Sequence, residues 1–250
     1  MDEFVTKAQV MPGMKRAFNF ADKHRAIGLG VLGYHSLLQS KLVDFESLEA
    51  KRLNHEIFKT LDERSAAASR ELHDNYGYKC IREGYANTTL IAIAPTKSSS
   101  FILGQASMGI EPIKSNYFIK DLAKSKTVYK NPFLEEELEK HGLNTPEIWE
   151  DILKKDGSVQ HLDFPTKGVF KSFIEISPKE IILQAAQRQK FIDQSQSLNL
   201  MIHPSVPAKD INQLYLYAWK EGVKTLYYQF SQSSAQAFAR NILECASCEG

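Results

Sequence analysis

The sequence predicts an α/β fold, and three observations carry that reading. Residues 198–228 spell strand, helix and strand in succession: Leu198-Asn199-Leu200-Met201-Ile202, then Ala208 to Glu221 closed by Gly222, then Val223-Lys224-Thr225-Leu226-Tyr227-Tyr228. That order makes a βαβ unit with parallel strands. The longest apolar run, Thr88-Thr89-Leu90-Ile91-Ala92-Ile93-Ala94, has the length of a buried strand and leads into the hydroxyl-rich turn Pro95-Thr96-Lys97-Ser98-Ser99-Ser100 and a short helix. Helical periodicities fill the intervals, in a chain of 250 residues with 43% hydrophobic and 24% charged side chains, enough for one large domain or two small ones.

Taken in order, residues 1–43 read as short helices interrupted at Met11-Pro12-Gly13 and again around Gly28. Asp44 is the expected N-cap of a long helix ending near Tyr76-Gly77. Its residues Leu53, Ile57 and Leu61 recur on one face for burial, while Lys51, Arg52, Glu56 and Asp62 face solvent. Asn131 to Lys155 holds two helices: Gly142 ends the first, Thr145-Pro146 opens the second and Gly157 stops it. Ser177-Pro178-Lys179-Glu180 has the spacing of a capping box with proline at the first helical position, opening a helix to about Gln194. From Gln229 onward Ser, Gln and Ala dominate, so 1–228 reads as one folded unit and 229–250 as a flexible tail.

Thirty-one Lys and Arg against 30 Asp and Glu leave a net charge of +1, which disfavours nucleic-acid binding as the main task. No apolar run reaches the roughly 18 residues of a membrane helix, and Met1-Asp2-Glu3-Phe4-Val5 has no signal-peptide character, so a cytoplasmic protein is expected. Three cysteines in a chain of this length argue against a disulfide scaffold.

Gly28-Leu29-Gly30-Val31-Leu32-Gly33 has the spacing of a dinucleotide fingerprint, but helix-like Lys23-His24-Arg25-Ala26 precedes it instead of a strand, so the glycines are read as close helix packing. The turn Pro95 to Ser100 either offers hydroxyls and backbone N–H groups to an anion such as a diphosphate or caps its own helix. Tyr227 and Tyr228 are either ordinary strand aromatics or a functional pair. Adjacent side chains on a regular strand point to opposite faces, so a joint role requires the backbone to depart from ideal pleating. Cys245-Ala246-Ser247-Cys248 suits a redox pair, two incidental thiols, or half of a zinc site shared with a second molecule. On a flexible tail over 229–250 the thiols would range over about 25 Å root-mean-square. Cys80 reads as a packing residue, and His35, His55, His73, His161 and His203 as structural or solvated.

In order, Ala94 to Ser100, Gly109-Ile110-Glu111-Pro112, Asp193-Gln194-Ser195-Gln196-Ser197-Leu198-Asn199, Lys224 to Tyr228 and the terminal Cys pair resemble the C-terminal part of the large (alpha) subunit of class I ribonucleotide reductases. Arg25 to Gly33 fits the same family. The resemblance implies part of a ten-stranded α/β barrel that reduces ribonucleoside diphosphates to deoxyribonucleotides by a radical mechanism. It implies that Pro95, Thr96, Lys97, Ser98 and Ser99 hold the substrate diphosphate. Tyr227 and Tyr228 would carry an oxidising equivalent from a radical-bearing small (beta) subunit. Cys245 and Cys248 would reduce the active-site disulfide and be reduced in turn by thioredoxin or glutaredoxin. No cofactor is expected in this chain; the dimetal radical site belongs to the small subunit.

Such an enzyme uses five redox-active cysteines, the radical one in an Asn-x-Cys-x-Glu setting; here there are three, and Tyr78 and Arg82 stand around Cys80. The missing cysteines are therefore expected on a separate N-terminal piece of the large subunit onto which this chain docks. The alternative is a non-catalytic remnant or regulatory module that binds reductase subunits.

Overall fold

In the computed structural model, residues 1–104, 107–122 and 125–230 are described. Three short helices open the chain, α1 (Asp2–Val10), α2 (Lys15–His24) and α3 (Tyr34–Ser40). They break where the glycines fall, Gly13 and Gly33 taking φ of +81° and +79°, a region where a side chain is strained. The long helix α4 (Leu48–Tyr76) is closed by Gly77 as expected, but its N-cap is Ser47, not Asp44. The Ser47 hydroxyl accepts from the Ala50 N–H at 3.1 Å, whereas Asp44 accepts from the Glu46 N–H and caps the preceding turn. Ala50, Asn54 and Phe58 form the fully buried face, with Leu53, Ile57 and Leu61 flanking it. Lys51 and Asp62 are half-buried rather than solvated, because Lys51 reaches Glu180 at 2.8 Å.

A short helix α5 (Ser99–Ile102) follows the hydroxyl-rich turn. An antiparallel hairpin comes next, β1 (Tyr117–Leu122) against β2 (Ser125–Lys130), with Tyr117 opposite Lys130. Helices α6 (Pro132–Lys140) and α7 (Pro146–Lys154) start at Asn131 and Thr145, whose side chains accept from the Phe133 and Ile148 N–H groups. The helix α8 (Pro178–Gln189) stops five positions short of the expected Gln194. The Ser177 side chain makes no capping bond, and the reciprocal half of the box is absent as well, since the Ser177 N–H donates to Glu46 and Glu180 is drawn to Lys51. The expected βαβ unit is present as β3 (Leu200–Met201), α9 (Ala208–Lys220) and β4 (Gln229–Phe230), with β3 and β4 parallel. Its second strand lies beyond 223–228 and includes the first two residues of the expected tail.

Four extended segments lie side by side and parallel, in the order 27–30, 89–94, 194–201 and 227–230. Single bridges join Leu29 to Ile91 and Ile93 to Gln196, and the β3–β4 ladder completes the row. The run 88–94 is thus extended, with Leu90, Ile91 and Ile93 buried and Ala94 exposed, but it pairs only at isolated points, because side chains replace part of the ladder. Asp193 Oδ2 accepts from the N–H groups of Leu90 and Ile91 at 2.7 and 3.1 Å. Helices α4, α8 and α9 cover the row, and Phe58, Leu90, Ile91, Ile93, Ile182 and Leu200 are among the residues of its core. A second core, around Trp149, Ile152, Phe164 and Phe170, lies beneath α6 and α7.

Gly28 and Gly30 are close-packed, but against the neighbouring extended segment rather than a helix. A Cβ on Gly30 would lie 2.8 Å from the Ala92 carbonyl oxygen, and one on Gly28 would lie 2.9 Å from the Ala92 Cβ. Gly30→Ala must therefore push two backbones apart, and a loss of about 1–3 kcal/mol is expected from the shift of its urea unfolding midpoint. An unchanged midpoint would contradict the close approach.

Candidate functional site

The bend from Pro95 to Ser99 is held from inside. Thr96 sits at φ +45°, an uncommon conformation for a β-branched residue. It is secured by its Oγ1, which accepts from the Gly109 N–H at 2.7 Å. Gly109 itself has φ +55°, and a Cβ there would meet the Ala94 carbonyl at 2.9 Å, so only glycine fits this crossing. The first backbone bond of the following turn runs from the Ser100 N–H to the Thr96 carbonyl, 3.0 Å. Pro95 and Thr96 are half-buried, while Lys97, Ser98 and Ser99 are exposed.

Two residues beyond Gly109 lies Glu111. Its Oε1 accepts from the Asn199 backbone N–H at 3.1 Å and from Asn199 Nδ2 at 2.5 Å. Burial raises the Glu111 carboxyl above the usual carboxylate range, against the pull of both Asn199 bonds and of the Lys114 and Lys97 charges. The Lys97 charge of the bend thus acts on the carboxylate that grips Asn199. Asn199 is buried, and its Oδ1 accepts from the Tyr228 N–H at 3.0 Å.

Tyr227 and Tyr228 face each other, with ring centroids 4.1 Å apart and planes inclined at 48°. The backbone departs from regular pleating to allow it. The Tyr227 N–H donates to the Leu198 carbonyl at 2.8 Å, and the Leu200 N–H donates to the Tyr228 carbonyl at 2.9 Å. On a regular parallel strand one residue opposite Asn199 would make both bonds; here two residues share them, which is a β-bulge. A hydrogen bond with the Tyr228 phenol raises the Tyr227 phenol above the ordinary tyrosine range. Just upstream, Lys224 Nζ donates to the Asp193 carbonyl at 2.6 Å and Thr225 Oγ1 to the Gln196 carbonyl at 3.2 Å, fixing the approach to the pair.

The bend and the two phenols are thus tied to one hydrogen-bonded frame, through Thr96, the Gly109–Glu111 turn and Asn199. Cys245 and Cys248 lie outside the described residues. Cys80 is half-buried, its sulfur accepting from the Arg82 N–H at 3.3 Å in a local turn. Among the described residues no helix is long and apolar enough to cross a membrane. None of the described His, Cys, Asp and Glu residues form a group of three able to hold a metal ion.

The family profile described as "Ribonucleotide reductase, barrel domain" matches residues 3–81 and 77–229. The chain belongs to that family. This ribonucleotide reductase barrel chain is 41% identical over 244 residues to the ribonucleoside-diphosphate reductase large subunit of Invertebrate iridescent virus 6, covering 94% of this chain and 25% of the viral protein. The large subunit of Invertebrate iridescent virus 3 is 37% identical over 257 residues, covering 96% of this chain and 41% of its own length. The solved Actinobacillus ureae class Id ribonucleotide reductase alpha subunit superposes with a TM-score of 0.87 at 53% identity, over 94% of this chain and 44% of that one. The chain therefore spans less than half the length of each of these relatives, and matches a C-terminal portion of the large subunit.

Within the barrel chain, sequence reasoning placed Glu111 and Asn199 in matching motifs but assigned them no task. The available signal was Asn199 itself, an amide between Leu198 and Leu200 in an otherwise apolar strand, where a buried polar group demands a partner.

Proposed function

We propose that this chain supplies part of a ribonucleoside-diphosphate reductase: the grip on the substrate diphosphate, the tyrosine relay and the terminal dithiol. The observation that carries the reading is the facing Tyr227–Tyr228 pair, 4.1 Å between rings, braced to the same frame as the Pro95–Ser99 bend. Family membership and the named large-subunit relatives support the reaction class.

In this reading the bend holds the diphosphate with the Ser98 and Ser99 hydroxyls, backbone N–H groups and the Lys97 ammonium. Each phenol of the pair gives an electron and its O–H proton to the neighbour on one side and regains both from the neighbour on the other. At 53% and 52% exposure, both phenols remain reachable by a second subunit. Cys245 and Cys248 close to a disulfide as the active-site disulfide opens to two thiols, and thioredoxin or glutaredoxin returns them to the dithiol. The small subunit would hold the dimetal site and supply the radical. The cysteine that attacks the ribose, with its Asn and Glu neighbours, comes from the N-terminal piece of the large subunit.

Reconstitution tests this. The full chain mixed with that N-terminal piece, the small subunit, a dithiol reductant and a ribonucleoside diphosphate is expected to yield deoxynucleotide, and the chain alone none. Absence of product from the complete mixture overturns the catalytic reading in favour of a non-catalytic module that binds reductase subunits. In the same mixture, replacing Cys245 and Cys248 with Ser is expected to block thioredoxin-driven turnover but spare the first turnover of pre-reduced enzyme. Loss of that first turnover would show that the two thiols do more than shuttle electrons.

A further inference from the structure

We propose that Asn199, braced by Glu111, is a positioning residue that holds the β-bulge at Tyr227–Tyr228 and so turns the two rings toward each other. The inference deepens the relay reading and rests on it for its purpose, but its geometry stands without turnover.

A bulge leaves one peptide group, a carbonyl and the N–H that follows it, without ladder partners. Here the Tyr227 N–H and the Tyr228 carbonyl take the two ladder bonds around Asn199, so the unmatched donor is the Tyr228 N–H. It is Asn199, the residue opposite the bulge, that accepts this N–H through its own side chain at 3.0 Å. An apolar residue at 199 would leave the N–H unpaired, favouring a regular strand in which Tyr227 and Tyr228 point to opposite faces. An amide free to rotate would not suffice either. The Asn199 Nδ2 is held on Glu111 Oε1 at 2.5 Å, and the same oxygen takes the Asn199 N–H, so side chain and backbone are fixed against one carboxylate. That carboxylate is itself immobilised by the turn in which the Glu111 N–H donates to the Met108 carbonyl at 3.1 Å, one residue before the Gly109 clamped by Thr96. Asn suits the position because it offers an acceptor on one arm and donors on the other, and Glu111 needs donors.

The test uses the full chain with ring-labelled tyrosine, observed by NMR, with Tyr227→Phe and Tyr228→Phe assigning the two residues. In the native chain a strong ring-to-ring cross-peak is expected, with Tyr227 titrating above the ordinary tyrosine range. In Asn199→Asp, two carboxylates face each other; the cross-peak should vanish and the Tyr227 titration fall back toward the ordinary range. The double variant Asn199→Asp with Glu111→Gln restores a donor facing an acceptor, and both signals should return. Should Asn199→Asp lose the native far-UV spectrum, Asn199→Ser takes its place, since it withdraws the acceptor from Tyr228 without adding charge. A cross-peak of native intensity in a folded Asn199 variant overturns the proposal. Because no substrate or partner is present, that result leaves the relay reading to be judged on turnover alone.

Discussion

Tyr228→Phe and Tyr227→Phe are each expected to reduce deoxynucleotide formation by the reconstituted complex to background, while the chain remains folded. Each change removes one phenolic oxygen and keeps the ring, so packing at this half-exposed pair is barely altered. What disappears is the proton that must move with the electron, and a phenyl ring has no comparable oxidation at neutral pH. The fold is checked by far-UV circular dichroism and urea midpoint, both expected unchanged. Turnover at or near the native rate in either variant would reject the relay. A uniform loss of stability instead would show the phenols to be structural.

The second large effect lies in pH and concerns His35 on α3. Its ring is fully buried, edge-on to Phe45 at 5.5 Å, and its Nδ1 accepts from the Ile113 N–H at 3.0 Å. Burial, only partly opposed by the Val169 carbonyl, pushes its pKa down from 6.5 to about 3. Between those values the unfolded chain binds a proton at His35 and the folded chain does not, so stability rises with pH and is lost as pH falls. The slope from this one group is about 1.4 kcal/mol per pH unit, or roughly 3 kcal/mol between pH 6 and pH 4. Carboxylates add to the acid loss, so the comparison is with His35→Gln, which keeps an acceptor for the Ile113 N–H but binds no proton. The native chain should lose stability faster on acidification by about that margin in urea midpoints. Parallel curves would show that His35 is protonated in the folded state.

What could be read from the sequence was what is written in neighbouring residues. Thr145-Pro146, Gly77 and Gly142 act within one turn of themselves, and the helices they bound were recovered. The Pro95–Ser99 bend and the paired phenols were legible as residue types, because hydroxyls before a helix and adjacent tyrosines are local facts. Ser47 against Asp44 was not decidable locally: both residue types cap helices, and the choice rests on which oxygen meets the Ala50 N–H. The hairpin of β1 and β2 escaped notice because no Gly, Pro or Asn stands between Tyr117 and Lys130 to signal a turn. Glu111 and Asn199 lie 88 positions apart, and the bulge depends on register with a strand 29 positions away, so neither relation leaves a trace in any short window.

The carboxylate of Asp193 has a mechanical role that reaches the bend. It clips two successive N–H groups, at Leu90 and Ile91, and stands 3.6 Å from the Arg82 guanidinium. A slide of the 89–94 segment by one residue would bring Ala92 and Ala94 to the core face in place of Ile91 and Ile93. Asp193 works against that slide as a pawl works against a ratchet, and the rod it locks ends at Pro95. The height at which the bend stands is therefore set by an acid anchored on the neighbouring segment, outside the bend itself.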